Sequence, residues 1–255
     1  MIYELVFSAT GRTEKLLDIF SARWTEQKVR IDLSDINLDT GKYVFTADDL
    51  CILASSVFEG RLPSPATEKI KNMQGNGAKA VLLAVFGNRA VDDALLEMKN
   101  VMTAAGFVPV AAVEASMQHS IMTQVEPTRP DLDDKKELAE FAATIRTALA
   151  EKSEFTDLTV PGNFPYVEMG GIPFKPKADK NCITCGLCAR KCPVGAIPLD
   201  NPKITDKEKC INCMRCVEIC PTDARDFPKL LIAGAYMAMK SKFASRKPNK
   251  LYIAE

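Results

Sequence analysis

Eight of the nine cysteines fall between positions 182 and 220, in two sets of identical spacing. CITCGLCARKCP carries Cys182, Cys185, Cys188 and Cys192, and CINCMRCVEICP carries Cys210, Cys213, Cys216 and Cys220, each displaced by 28 residues. No other feature constrains the chain as much. The N-terminus runs directly into an apolar strand with Glu4 inside it rather than into a signal peptide, so a cytoplasmic chain is expected. In that setting crowded cysteines read as metal ligands, not disulfides. Structural zinc is the plain alternative, but zinc sites usually use two separated pairs. Two complete C-x2-C-x2-C-x3-C-P runs favour iron–sulfur ligation. Ile183, Val194, Ile197, Ile211, Val217 and Ile219 would keep water away, and Gly186 and Gly195 would let backbone N–H groups approach sulfur. Cys51 stands apart, in an apolar run, and reads as a small core thiol.

The first 150 residues have a different texture. IYELVF (2–7), VRIDLSDI (29–36), LCILAS (50–55), AVLLAVF (80–86) and FVPVAAVEA (107–115) are short apolar runs suited to a parallel sheet buried on both faces. Between them lie helical segments: TEKLLDIFSARW, PATEKIKNMQ, DDALLEMKNVMTAA and DLDDKKELAEFAATIRTALAE. Pro65 and Asp131 fit helix starts, and Gly106 fits the position just past a helix end. The acidic DLDDKKE run suits a helix N-terminus. This predicts an α/β, doubly wound, five-stranded parallel sheet, with a crossover helix of only a turn or two between residues 37 and 49.

The predicted organisation is a sheet domain over 1–152, a Pro/Gly-rich linker over 153–180, a small α+β cysteine domain over 181–227, and a helix with a basic tail over 228–255. The tail reads first as a solvated face and otherwise as a docking surface for an acidic redox partner. LLIAGAYMAM is too short to span a membrane. A formal net charge of zero argues against a nucleic-acid binder. That balance hides a division. Residues 1–160 hold 17 basic and 24 acidic side chains, and residues 161–255 hold 16 and 9, as two modules with different tasks would.

SATGRT (8–13) follows the first strand and opens the first helix. The hydroxyls of Ser8, Thr10 and Thr13, with the loop N–H groups, can surround a phosphate at the positive helix end. An ordinary N-cap explains the same residues. It is not a Walker A loop, and no G-x-G-x-x-G fingerprint occurs in the chain. SSVFEGRLP (55–63) follows the third strand and FGNRAVDDALLEM (86–98) the fourth. In sheet order 2-1-3-4-5 those three loops surround the switch point where FMN binds in flavodoxins.

Here the chain resembles a flavodoxin. Ser8, Thr10, Gly11, Arg12 and Thr13 match the phosphate loop; Ser55, Val57, Phe58 and Gly60 match one flavin loop; and Gly87, Asn88 and Arg89 match the other. The cysteine domain resembles two-cluster ferredoxins of the bacterial type, in which the fourth cysteine of each run ligates the other cluster. That implies one [4Fe–4S] cluster on Cys182, Cys185, Cys188 and Cys220, and another on Cys210, Cys213, Cys216 and Cys192. The whole layout is similar to flavodoxin–ferredoxin fusion proteins of anaerobic bacteria, including GNRAVDDALLEM, the lone His119 in QHS, TRPDLDD at 128–134 and PGNFPY. The resemblance implies an electron carrier with FMN, two [4Fe–4S] clusters and redox protein partners, with homo-oligomerisation open. A reductase of an organic substrate, fed by its own clusters, is a second reading. A ferredoxin whose first domain has lost FMN is a third, supported by Arg12 and by Val91 at a usual stacking position. His119 reads as a satisfied loop histidine, or alternatively as a proton donor near the flavin.

Overall fold

The computed structural model describes all 255 residues. The chain runs β1 (Ile2–Phe7), α1 (Arg12–Ser21), β2 (Lys28–Asp32), β3 (Leu50–Ser56), α2 (Ser64–Lys71), β4 (Lys79–Phe86), α3 (Ala94–Ala104), β5 (Val108–Ser116) and α4 (Leu132–Glu151). After these come β6 (Lys177–Ala178), α5 (Leu187–Arg190), α6 (Arg215–Glu218), β7 (Arg225–Asp226), α7 (Lys229–Met239) and β8 (Lys250–Ile253). β2, β1, β3, β4 and β5 pair in parallel in the flavodoxin-like order 2-1-3-4-5.

Alternation along the strands builds two cores. Phe7, Leu53 and Leu82 face α2 and α3 through Ile70, Leu95 and Met98. Val6, Ile52 and Leu83 face α1 and α4 through Leu16, Phe20 and Ile145. Buried on both faces, these strands need the near-continuous apolar sequence they have. Asp131 caps α4 in a reciprocal capping box with Asp134, and Gly106, at φ +83, turns the chain after α3.

Two expectations need correction. No crossover helix forms between β2 and β3. Asp35, Asp39 and Asp49 accept from the backbone N–H of Asn37, Gly41 and Thr46, which favours turns over helix. Phe45 fills the gap, its ring 4.8 Å from Tyr3 and 5.1 Å from Phe107.

The sheet, moreover, has six strands, not five. β8, from the supposed solvated tail, pairs antiparallel with β5, matching Ala112 to Tyr252 and Val113 to Leu251. The tail's polar groups have specific partners. The Asn249 carboxamide accepts from Ser116 N–H at 2.9 Å and donates to Asp134 at 3.0 Å and Glu137 at 2.7 Å. Tyr252 donates to Glu114 at 2.7 Å, and Arg246 pairs with Asp131 at 2.8 Å. The tail also completes the buried Arg129–Asp134 ion pair, because Arg129 donates to Lys247 O at 2.6 Å.

The 153–180 segment lies along the sheet domain. Asp93 accepts from the N–H groups of Asn163 and Val167 at 2.8 and 2.6 Å, and Lys99 pairs with Asp157 at 2.6 Å. Those backbone donors, Val167 first, hold the Asp93 carboxyl below its ordinary range. Of its aromatic residues, Phe155 packs on the sheet cores and Phe174 on Phe227, while Phe164 is 79% exposed. α7 lays Ile232 and Tyr236 against Met122, Val125 and Phe243, leaving Leu230 87% exposed. No helix is long and apolar enough to cross a membrane.

Candidate functional site

The 28-residue repeat is also a repeat of backbone shape. Thr184 and Asn212, Gly186 and Met214, and Gly195 and Asp223 all have positive φ at matching positions of the two copies. The same correspondence reaches the sulfurs. Cys192 Sγ accepts from Ala196 N–H at 3.2 Å, and Cys220 Sγ from Ala224 N–H at 3.3 Å. Such donors stabilise a thiolate without adding a proton.

Cys192 and the second trio, Cys210, Cys213 and Cys216, line one cavity walled by Pro193, Ile197, Ile211 and Met214. Cys192 lies near enough to influence each of those three thiols. Cys188, four residues before Cys192, instead feels Cys182. Burial pushes the Cys213 thiol up to about 12 and the Cys216 thiol up to about 11, so a protein-only thiolate is disfavoured and a bound cation would be needed to hold one.

The three loops predicted from sequence do meet at one sheet edge. Thr13 and Ser56 share a hydrogen bond of 2.9 Å, joining the loop after β1 to the end of β3. Ser8 Oγ accepts from Glu14 N–H at 3.0 Å. Gly11, at φ +75, turns the chain into α1. None of the five amides from Ala9 to Thr13 has a partner within the chain. Donors at a helix start without acceptors form a cradle for an anion. They open on a polar cavity lined by Ser8, Thr10, Gly11, Arg30 and Arg215. Of its three acids, Glu14 pairs with Arg30 at 2.9 Å and Glu218 with Arg12 at 3.1 Å, while Asp32 accepts only from the N–H (2.8 Å) and hydroxyl of Ser34.

The other predicted residues are placed less openly. Ser55 is fully buried, and Phe58 packs edge-on to Phe7 at 6.0 Å. Val57 and Phe58 adjoin a core that Ile211 and Cys213 also touch. Gly60, at φ +84, leaves no room for a side chain beside Asp92, which pairs with Arg89. Gly87 lies against the His119 ring, where a Cβ would come within 2.7 Å. Asn88 is 0% exposed and holds the tail, donating to Ser245 O at 3.1 Å and accepting from Lys247 N–H at 2.8 Å. Arg12 donates to Gln118 at 3.3 Å and to Glu218.

His119 is a satisfied histidine. Its Nδ1 accepts from the N–H groups of Ile121 and Met122, each at 3.1 Å. Burial, aided by Arg89 and Arg12, lowers it to about 4, so the ring is neutral at neutral pH. Cys51 sits fully buried in β3, away from the cysteine repeat, where burial drives its thiol far up.

The residues that sequence reasoning missed lie on the cysteine domain. Arg215 donates to Ser8 O at 2.7 Å and to Ser34 Oγ, bringing the second copy onto the phosphate-type loop. Aligning the two copies exposes it, because Arg215 stands where the first has Leu187.

Residues 181–224 match a family model described as a 4Fe-4S dicluster domain. No curated protein matches the sequence. Among solved structures, the flavodoxin of Streptococcus pneumoniae TIGR4 is 16% identical, with 58% of this chain and 99% of that one covered and a TM-score of 0.44. A short-chain flavodoxin associated with a non-canonical PDU bacterial microcompartment is 14% identical, with 58% and 96% covered and a TM-score of 0.39. Two-electron reduced Megasphaera elsdenii flavodoxin is 16% identical, with 56% and 99% covered and a TM-score of 0.37. The flavodoxin-like description of the sheet rests on its own strand order.

Proposed function

From a flavodoxin-like sheet joined to a 4Fe-4S dicluster segment, we propose an electron-transfer iron–sulfur flavoprotein that holds one FMN and two [4Fe–4S] clusters and exchanges electrons with redox partners. FMN takes up two electrons and releases them singly, and each cluster carries one, so the pair converts between two-electron and one-electron partners. The observation that carries the reading is the seat of the second cysteine trio. Cys213 and Ile211 pack on the same core as Val57 and Phe58, and Arg215 binds the carbonyl of Ser8.

In this reading the amides of residues 9–13 and the Thr10 hydroxyl hold the phosphate, and Arg215 adds positive charge from the cysteine domain. Thr13 and Ser8 act one step back, fixing the loop through Ser56 and Glu14. Cys182, Cys185, Cys188 and Cys220 hold one cluster, and Cys192, Cys210, Cys213 and Cys216 the other. A second reading, a dicluster ferredoxin with a flavin-free docking domain, is favoured by Asn88 and Arg12, whose polar atoms are engaged within the chain. Iron, acid-labile sulfide and extracted flavin, assayed on anaerobic protein reconstituted with excess FMN, separate the two. One flavin per chain supports the first, and cluster-loaded protein without flavin supports the second.

Thr10→Ala is expected to weaken FMN binding and leave iron content unchanged. A lost hydrogen bond to a charged acceptor costs roughly 1.5–3 kcal/mol, about ten- to 150-fold in Kd. Flavin fluorescence titration measures it. An unchanged Kd removes the phosphate from this loop.

A further inference from the structure

Arg225 is a buried cation without a carboxylate. It is only 2% exposed, and its partners are neutral: Pro202 O at 2.5 Å, Pro176 O at 3.4 Å and the hydroxyl of Thr205. Its Nε is buried and unpaired. The chain's other deeply buried arginine, Arg129, has Asp134 as counterion. A lone guanidinium in such a place costs several kcal/mol unless negative charge lies close by.

The groups beside it able to supply that charge are cysteines. Arg225 Nη1 lies 3.9 Å from Cys188 Sγ, in the first trio, and the guanidinium is near enough to influence the thiols of Cys216 and Cys210, in the second. It therefore stands between the two ligand sets. The internal repeat sharpens the point. The position 28 residues earlier is Ile197, equally buried and apolar. Where the first copy places an aliphatic side chain, the second carries a permanent charge.

Resting on the cluster reading above, we infer that Arg225 is a potential-setting residue, a fixed positive charge between the two clusters that makes both easier to reduce. One electron from an external one-electron donor adds one negative charge to a cluster, with no bond made or broken. A nearby cation favours that product, so the reduction potential rises. Removing the cation must lower it.

The test is an anaerobic redox titration of the full cluster-loaded chain, with dithionite as reductant and electron paramagnetic resonance as the readout. Arg225→Gln keeps amide donors for the carbonyls and loses the charge. Arg225→Lys keeps the charge. An opposite charge within about 4–6 Å commonly shifts an ionisation equilibrium ten- to a thousandfold. The Gln variant is therefore expected to show at least a tenfold smaller reduced-to-oxidised ratio at fixed potential. For a one-electron couple that is a midpoint about 59 mV more negative. The Lys variant is expected to remain within a few-fold of wild type. Should Gln lose its iron, retention of iron and wild-type midpoints by Lys still supports the inference. Unmoved midpoints in a fully loaded Gln variant overturn it alone, as do equal shifts in both variants or loss of iron from both. Absence of iron from reconstituted wild type overturns the cluster reading and this inference with it.

Discussion

Replacing Cys192 with alanine is expected to destroy the cluster held by Cys210, Cys213 and Cys216 and to leave the other one intact. In sequence Cys192 belongs to the first run, four residues after Cys188. In space it lines the same cavity as the second trio. The turn Cys192–Gly195, closed by Gly195 N–H to Cys192 O at 3.3 Å, and the Ala196 N–H to sulfur, fix that direction. A cluster seated there would lose one of its four thiolates, and no further cysteine lines the cavity to replace it. Iron content should fall by about half, because in the proposed arrangement each run supplies the fourth ligand of the other's cluster. Electron paramagnetic resonance of Cys192→Ala should match that of Cys213→Ala. A match to Cys185→Ala instead means that each run closes on itself.

The second large effect concerns the tail. Deleting residues 245–255 is expected to destabilise the sheet domain severely, although this segment lies beyond both cofactor-type regions in sequence. The deletion strips β5 of its antiparallel neighbour and leaves buried polar groups without partners: the Asn88 carboxamide oxygen, the Ser116 N–H and part of the Arg129 guanidinium. Each stranded group costs roughly 1–3 kcal/mol, so three of them remove on the order of 3–9 kcal/mol. Native domains have only about 5–15 kcal/mol in total. Urea denaturation followed by circular dichroism should show the midpoint collapse. Asn249→Ala, which removes the partner of Ser116, Asp134 and Glu137, should move it in the same direction by less. A wild-type midpoint in the deletion contradicts the structural role given to β8.

What could be read from the sequence followed the range of the interactions. Of the five parallel strands, β1, β3, β4 and β5 were legible because strands buried on both faces are apolar along most of their length, whereas β2, KVRID at the sheet edge, buries only Ile31. The cysteine sets were legible because ligand spacing is local. β8 was not legible: KLYI has four residues, lies among lysines, and becomes a strand only because Asn249, Tyr252 and Lys250 find Ser116, Glu114 and Asp134 far back in the chain. The missing crossover helix is the opposite case, since Asp35, Asp39 and Gly41 announce turns locally. Of the site, the loops and the glycine at φ +75 could be anticipated from their positions after strands. The inward commitment of Asn88 and the approach of Arg215 could not, because both depend on how distant segments pack. Arg225 had a signal in the repeat, an arginine opposite Ile197, that spacing alone does not weigh.

The central claim is that flavin and clusters work as one conducting unit, held together by Arg215 on Ser8, by Arg12 on Glu218 and by the shared core at Ile211 and Cys213. The most direct measurement is rapid anaerobic mixing of the cofactor-loaded chain with a reduced one-electron donor such as a low-potential ferredoxin, following cluster and flavin absorbance together. The account predicts that flavin reduction is coupled to the clusters at a rate independent of protein concentration, and that Cys213→Ala keeps its FMN but reduces it far more slowly. Flavin reduction that is equally fast in Cys213→Ala, or second order in protein, would contradict it.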